Sequence, residues 1–165
     1  MKSQALFFYW IFLSLGIFFA FSACSNEDEI EEMEEEMSTS TFWIGDTITF
    51  EKPDGADPTD PMNQDRITDA IWITRGNEGG QIYNIKSEEI ADQMISPAGT
   101  EWAQGQFGEE DALTFAPFRE AVRPNAVVGK DLILHLIEED IYISVRFTKW
   151  SGGKLGGFAY QRSTE

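Results

Sequence analysis

The run Asp131-Leu132-Ile133-Leu134-His135-Leu136-Ile137, then Glu138-Glu139-Asp140, then Ile141-Tyr142-Ile143-Ser144-Val145-Arg146-Phe147-Thr148 constrains the fold more than any other stretch. Each half places apolar side chains two residues apart, the spacing of a strand with one buried face, and the acids between them mark a turn. The pattern predicts an antiparallel hairpin. With an even-numbered loop, Leu136 meets Ile141, Leu134 meets Ile143 and Leu132 meets Val145 on the core face. The opposite face then carries Ile133, His135, Tyr142, Ser144 and Arg146, polar enough to reach solvent or a cleft.

Other segments extend the β pattern. Residues 41–50 alternate, which puts Phe42, Ile44, Ile48 and Phe50 on one face and Thr41, Trp43, Thr47 and Thr49 on the other. Residues 67–75 and 81–86 flank Gly76-Asn77-Glu78-Gly79-Gly80, a run suited to the positive φ of a hairpin loop. After Gly152, Gly153, Gly156 and Gly157, Phe158-Ala159-Tyr160-Gln161-Arg162 reads as a closing strand. Two segments read as short helices: residues 87–95, opened by Ser87 with Glu88 and Glu89 in the first turn, and residues 117–122, stopped before Pro124. The expectation is a mainly β chain, a single antiparallel sandwich or jelly-roll-like domain over residues 41–165 with one or two short helices. Its length of about 125 residues supports one hydrophobic core.

What precedes the domain reads as targeting and tether. Lys2 and the apolar run over residues 5–23 have the layout of a secretory leader, with an uncleaved membrane helix as the rival interpretation. Small residues Ser22 and Ala23 precede Cys24, the chain's single cysteine. No disulfide can form within the chain, and a thiol between a leader and a charge run has nothing to pack against, so lipidation accounts for it best. Eight of the ten residues in 27–36 are acidic, a block that extends by self-repulsion and lacks apolar surface to offset ordering. Residues 1–23 are therefore assigned as a lipoprotein signal peptide, and residues 24–40 as the lipidated cysteine and a disordered tether.

Phe21-Ser22-Ala23-Cys24 resembles a lipobox, with Phe21 where the pattern usually has an aliphatic residue. Ser25-Asn26-Glu27-Asp28-Glu29 resembles the acidic surface-export signal of Bacteroidetes lipoproteins. That resemblance implies a diacylglyceryl-modified Cys24 and an outer-membrane lipoprotein exposed at the cell surface. Further phrases, among them Asn63-Gln64-Asp65-Arg66-Ile67-Thr68-Asp69, Trp72-Ile73-Thr74-Arg75-Gly76, Ser96-Pro97-Ala98-Gly99-Thr100-Glu101-Trp102-Ala103 and Gly157-Phe158-Ala159-Tyr160-Gln161-Arg162, resemble a domain that recurs in secreted and surface-anchored bacterial proteins. It implies an extracytoplasmic β domain and carries over no catalytic residue.

Charge narrows the partners. With 29 acidic and 12 basic side chains the net charge is −17, a surface that repels nucleic acid and leaves membrane attachment to the lipid. An enzyme is disfavoured. The single histidine, His135, lies in an apolar strand and reads as structural; no Gly-x-Ser-x-Gly elbow occurs; and Glu101, Glu109, Glu138 and Glu139 are too many acids to single out a glycosidase pair. Two binding features remain. The loop bearing Asp54, Asp57, Asp60 and Asp65 offers the oxygen ligands of a calcium site, although turn chemistry explains the same residues. Trp43, Trp72 and Trp102, with Tyr142 and Arg146 on the outward face of the hairpin, form a candidate ligand set in which indoles stack on sugar rings, with core packing as the rival. The function expected is a lipid-anchored surface binding or adhesion module for a glycan or a surface protein. The alternatives are an accessory subunit of an outer-membrane assembly and, less favoured, a glycoside-active enzyme.

Overall fold

A computed structural model describes residues 40–109 and 112–165. The leader, Cys24 and the acidic tether lie outside the described residues.

The hairpin at the centre of the fold has the register that its side chains require. Strands β7 (Asp131–Leu136) and β8 (Ile141–Trp150) pair Leu136 with Ile141, Leu134 with Ile143 and Leu132 with Val145. All but Ile141 are fully buried or nearly so, and Ile141 packs against the same core. A four-residue connection closes the turn, with Asp140 taking the left-handed φ of 50°. Around this hairpin, β6 (Thr100–Gln104) pairs with β7, β9 (Phe158–Arg162) with β8, and β2 (Ile48–Lys52) with β9, all antiparallel. A three-stranded antiparallel sheet, β3 (Asp65–Arg66), β4 (Trp72–Arg75) and β5 (Ile82–Asn84), supplies the second layer. Ile73 and Ile82 of that layer join Trp102, Leu132, Leu134, Phe147 and Phe158 of the larger sheet in one core cluster. The protein is thus a mainly β, sandwich-like domain.

The β4–β5 hairpin turns at residues 76–80 as its glycines require, but residues 67–71 are not strand. Ile67 N and Thr68 N both donate to Ile71 O, which closes that segment as a tight turn before β4. The short helix α1 (Phe118–Val122) forms as expected and buries Phe118 and Val122. It ends where Arg123 turns left-handed ahead of Pro124, which cannot continue a helix.

Three further expectations are corrected. Residues 41–50 are not one strand: β1 (Thr41–Trp43) runs parallel to residues 141–143 of β8, while β2 pairs with β9. The chain crosses between them at Gly45, whose N–H donates to Thr164 O and where a Cβ would lie 2.2 Å from Glu165 O. The break reverses the faces near it, so Trp43 packs toward the core while Phe42 and Ile44 are exposed. Residues 87–95 form no helix. Glu88, expected to favour the first helical turn, instead closes a loop by accepting from Asn84 N and Ala98 N, and the Gln81 amide holds the loop through Asp92 O and Ile95 O. The outward face of the β7–β8 hairpin is also less open than its polarity implied. Phe115 packs edge-on against His135 and Tyr142, Phe42 stacks on Tyr142 at 5.0 Å, and Ile133 is buried.

Candidate anion-binding cavity

The side chains singled out from sequence do not gather into one site. Trp102 is fully buried, its indole N–H donating to Thr100 Oγ1 and its ring against Phe118, because β6 lies between β7 and the returning bridge at Ala116. Trp43 is half-buried on the core. Trp72 donates to Thr68 O and carries the Arg66 guanidinium 4.0 Å and the Lys86 ammonium 4.5 Å from its ring, so cations occupy the stacking surface a sugar would need. Tyr142 stacks on His135 at 4.2 Å, and Arg146 pairs with Asp131 on the outer face of β8.

The four aspartates are likewise dispersed. Asp54 accepts from Ser151 Oγ; Asp57 Oδ1 accepts from Thr59 N and Oγ1; Asp60 caps the short 3-10 turn Pro61–Asn63 through Met62 N. Asp65 lies in the interior, where its Oδ2 accepts from Tyr160 Oη at 2.6 Å and Arg162 Nε at 2.7 Å, and its Oδ1 from Arg162 Nη2 at 3.0 Å. This bidentate pair joins β3 of the small sheet to β9 of the large one. Burial and the Asp65 carboxylate push the Tyr160 hydroxyl well above its ordinary range. Among the described residues no three His, Cys, Asp or Glu side chains are placed to hold a metal ion. The calcium expectation thus finds no converging ligand set, because each carboxylate serves a turn or a pair.

His135 lies between two carboxylates, Nδ1 at 2.7 Å from Glu101 Oε1 and Nε2 at 3.0 Å from Asp140 Oδ1. Its bonds tie β6, β7 and the following turn together. Ser40 Oγ reaches Asp140 rather than the imidazole, so this group lacks the hydroxyl-to-base contact that a triad requires. Glu139 accepts from Thr68 Oγ1 and Glu109 from Gln106 N.

Cations, not aromatics, line one well-formed cavity. Arg75 follows Ile73 on the inward face of β4 because alternate residues of a strand share a face. It is 3 % exposed. Its Nε donates to Gly80 O, and Nη1 to Ser151 O and Gly157 O, with the guanidinium 3.9 Å over the Trp150 ring. Among the described residues no carboxylate forms an ion pair with it, and Nη2 has no hydrogen-bond partner. Desolvation pushes Arg75 down to about 10, opposed by the more distant Asp54, and leaves it charged at neutral pH.

Arg75 lines an open cavity of about 480 Å³ together with Gln93, Arg119, Arg123 and Asn125, with Gly80, Pro124 and Gly153 completing the wall. Arg119 and Arg123 come four residues apart from α1 and its cap, so they approach the same space. Both are exposed, and neither makes an ion pair among the described residues. Trp150 Nε1, in the indole under Arg75, is a buried polar atom without a partner among the described residues. Three arginines with no paired acid among the described residues, in a chain of net charge −17, make a local positive focus that favours an anion. A planar guanidinium is suited to a carboxylate or another oxyanion. Sequence reading missed these residues, although an arginine in register with Ile73 and arginines at i and i+4 were legible signals.

In comparisons with known proteins, no family model, no curated protein and no solved structure matches the chain. The class of the protein therefore rests on its fold and this cavity: a mainly β domain with an arginine-lined recess. Among the described residues no helix is long and apolar enough to cross a membrane.

Proposed function

We propose that the protein is a lipid-anchored binding module displayed outside the cell. In this reading residues 1–23 are removed as a signal peptide, Cys24 carries the lipid, and the acidic segment holds the domain away from the membrane. The domain then captures an anionic group of a surface glycan or protein in the arginine-lined cavity. The single observation that supports binding is Arg75: a buried cation that, among the described residues, has no paired carboxylate and one guanidinium nitrogen without a partner, on the wall of an open cavity. A cation held in a largely desolvated setting gains more from an incoming counter-charge than one in bulk water.

Calorimetric titration of the full chain in detergent with sulfate, phosphate and glucuronate tests the binding half. At least one should bind and raise the unfolding midpoint, as any ligand preferring the native state must. No binding by any of them removes the proposal. Metabolic labelling with a radiolabelled fatty acid tests the anchor: label should enter the wild-type chain and not Cys24→Ala.

A further inference from the structure

Resting on the anion-binding reading just given, we infer that the ligand is a sparsely charged acidic polysaccharide, threaded through a groove that continues from the Arg75 cavity past Arg119. A second recess of about 250 Å³, lined by Met94, Pro117 and Glu120, shares both Gln93 and Arg119 with the first. A lone oxyanion needs only the first recess. Two recesses with a common wall fit a ligand of several linked units.

The chemistry of the linings differs along this path. In the first recess the arginines accompany two amides, Gln93 and Asn125, each able to donate to one sugar hydroxyl and accept from another. In the second, Met94 and Pro117 present apolar surface of the kind that meets the C–H face of a pyranose, and Glu120 accepts from hydroxyls. Cations for a carboxylate and amides for hydroxyls in one recess, with small apolar contacts in the next, are the components needed to hold a uronate flanked by neutral sugars. Net charge sets the spacing of the ligand's acids. The arginines are a local exception on a chain with 29 acids against 12 bases, so a densely sulfated polymer that extends past the groove meets a net repulsive field, felt over a screening length of about 8 Å at physiological salt.

The test is calorimetry on the full chain in detergent at physiological salt. The panel is glycans with one uronate per two to five sugars (hyaluronan and xanthan oligosaccharides), neutral chitohexaose, heparin hexasaccharide, poly-glutamate peptide, free glucuronate and sulfate. At least one sparse uronate glycan should bind ten-fold or more tighter than free glucuronate, and ten-fold or more tighter than chitohexaose, heparin and the peptide. Arg119→Ala should lower its affinity at least ten-fold, and Met94→Ala, in the second recess alone, should lower it several-fold while leaving sulfate binding unchanged. If glucuronate or sulfate binds but no sparse glycan improves on it, the extended groove is overturned and the anion site stands. Equal or tighter binding of heparin or poly-glutamate overturns the charge-spacing argument and the glycan class respectively. If nothing binds, both this inference and the reading beneath it fall.

Discussion

Two arginines are buried in this domain to nearly the same degree, Arg162 at 6 % exposure and Arg75 at 3 %, and their surroundings are opposites. Arg162 meets Asp65 in a bidentate pair, and the Tyr160 hydroxyl completes the carboxylate's shell. Desolvation pulls Arg162 down, but its hydrogen bonds to the Asp65 carboxylate and that carboxylate's charge together push it above its ordinary range. Arg75 has only carbonyl oxygens and an indole face, and desolvation pulls it down. A satisfied buried ion pair is a fastener between sheets. An unsatisfied buried cation beside an open recess has capacity left for something from outside.

The largest effect should come from breaking the fastener. Asp65→Asn leaves Arg162 buried without its counter-charge and should cost about 3–5 kcal/mol in urea unfolding, while anion affinity of the remaining folded protein is unchanged. Tyr160→Phe should cost less, about 1.5–3 kcal/mol, since it removes one hydrogen bond to a charged group and keeps the ion pair. Arg75→Met tests the other pole of the comparison. Three carbonyls lose a donor, but an unpaired desolvated charge goes too, so the net loss should be about 1–3 kcal/mol and anion binding should vanish in calorimetry. Arg119→Ala with Arg123→Ala should shift unfolding by no more than about 0.5 kcal/mol, since both are exposed and make no ion pair among the described residues, yet weaken anion binding at least ten-fold. If that double variant lost stability and kept its affinity, the contrast between the two kinds of arginine would collapse. Smallest of all, millimolar calcium should leave the thermal midpoint in place, because the four aspartates of the 54–65 loop are committed to separate partners.

Local pattern was readable where a segment's partner lies next to it in sequence. The β7–β8 register, the 76–80 hairpin turn and the helix ahead of Pro124 all follow from contacts within about twenty residues, which periodicity and turn residues encode. Residues 41–50 misled for the opposite reason. Their alternation is real, but β1 and β2 pair with strands about a hundred residues later, and where β9 stops along the edge of β8, β1 takes its place. The tryptophans misled because an indole's exposure depends on what folds over it. Trp102 lies between a neighbouring strand and the Ala116 bridge, and Trp72 beneath two cations.

By itself, then, the sequence determined that this chain has a β core built on one strong hairpin, and that its charge is heavily acidic, because side-chain spacing and composition act locally or in sum. Only the tertiary structure decided the fate of individual charges. Asp65 and Arg162 are 97 residues apart yet meet in the interior, while Arg75, Arg119 and Arg123 come from a strand end and a helix end to share one recess. Whether a charge is paired depends on which distant segment packs against it, and no spacing along the chain records that.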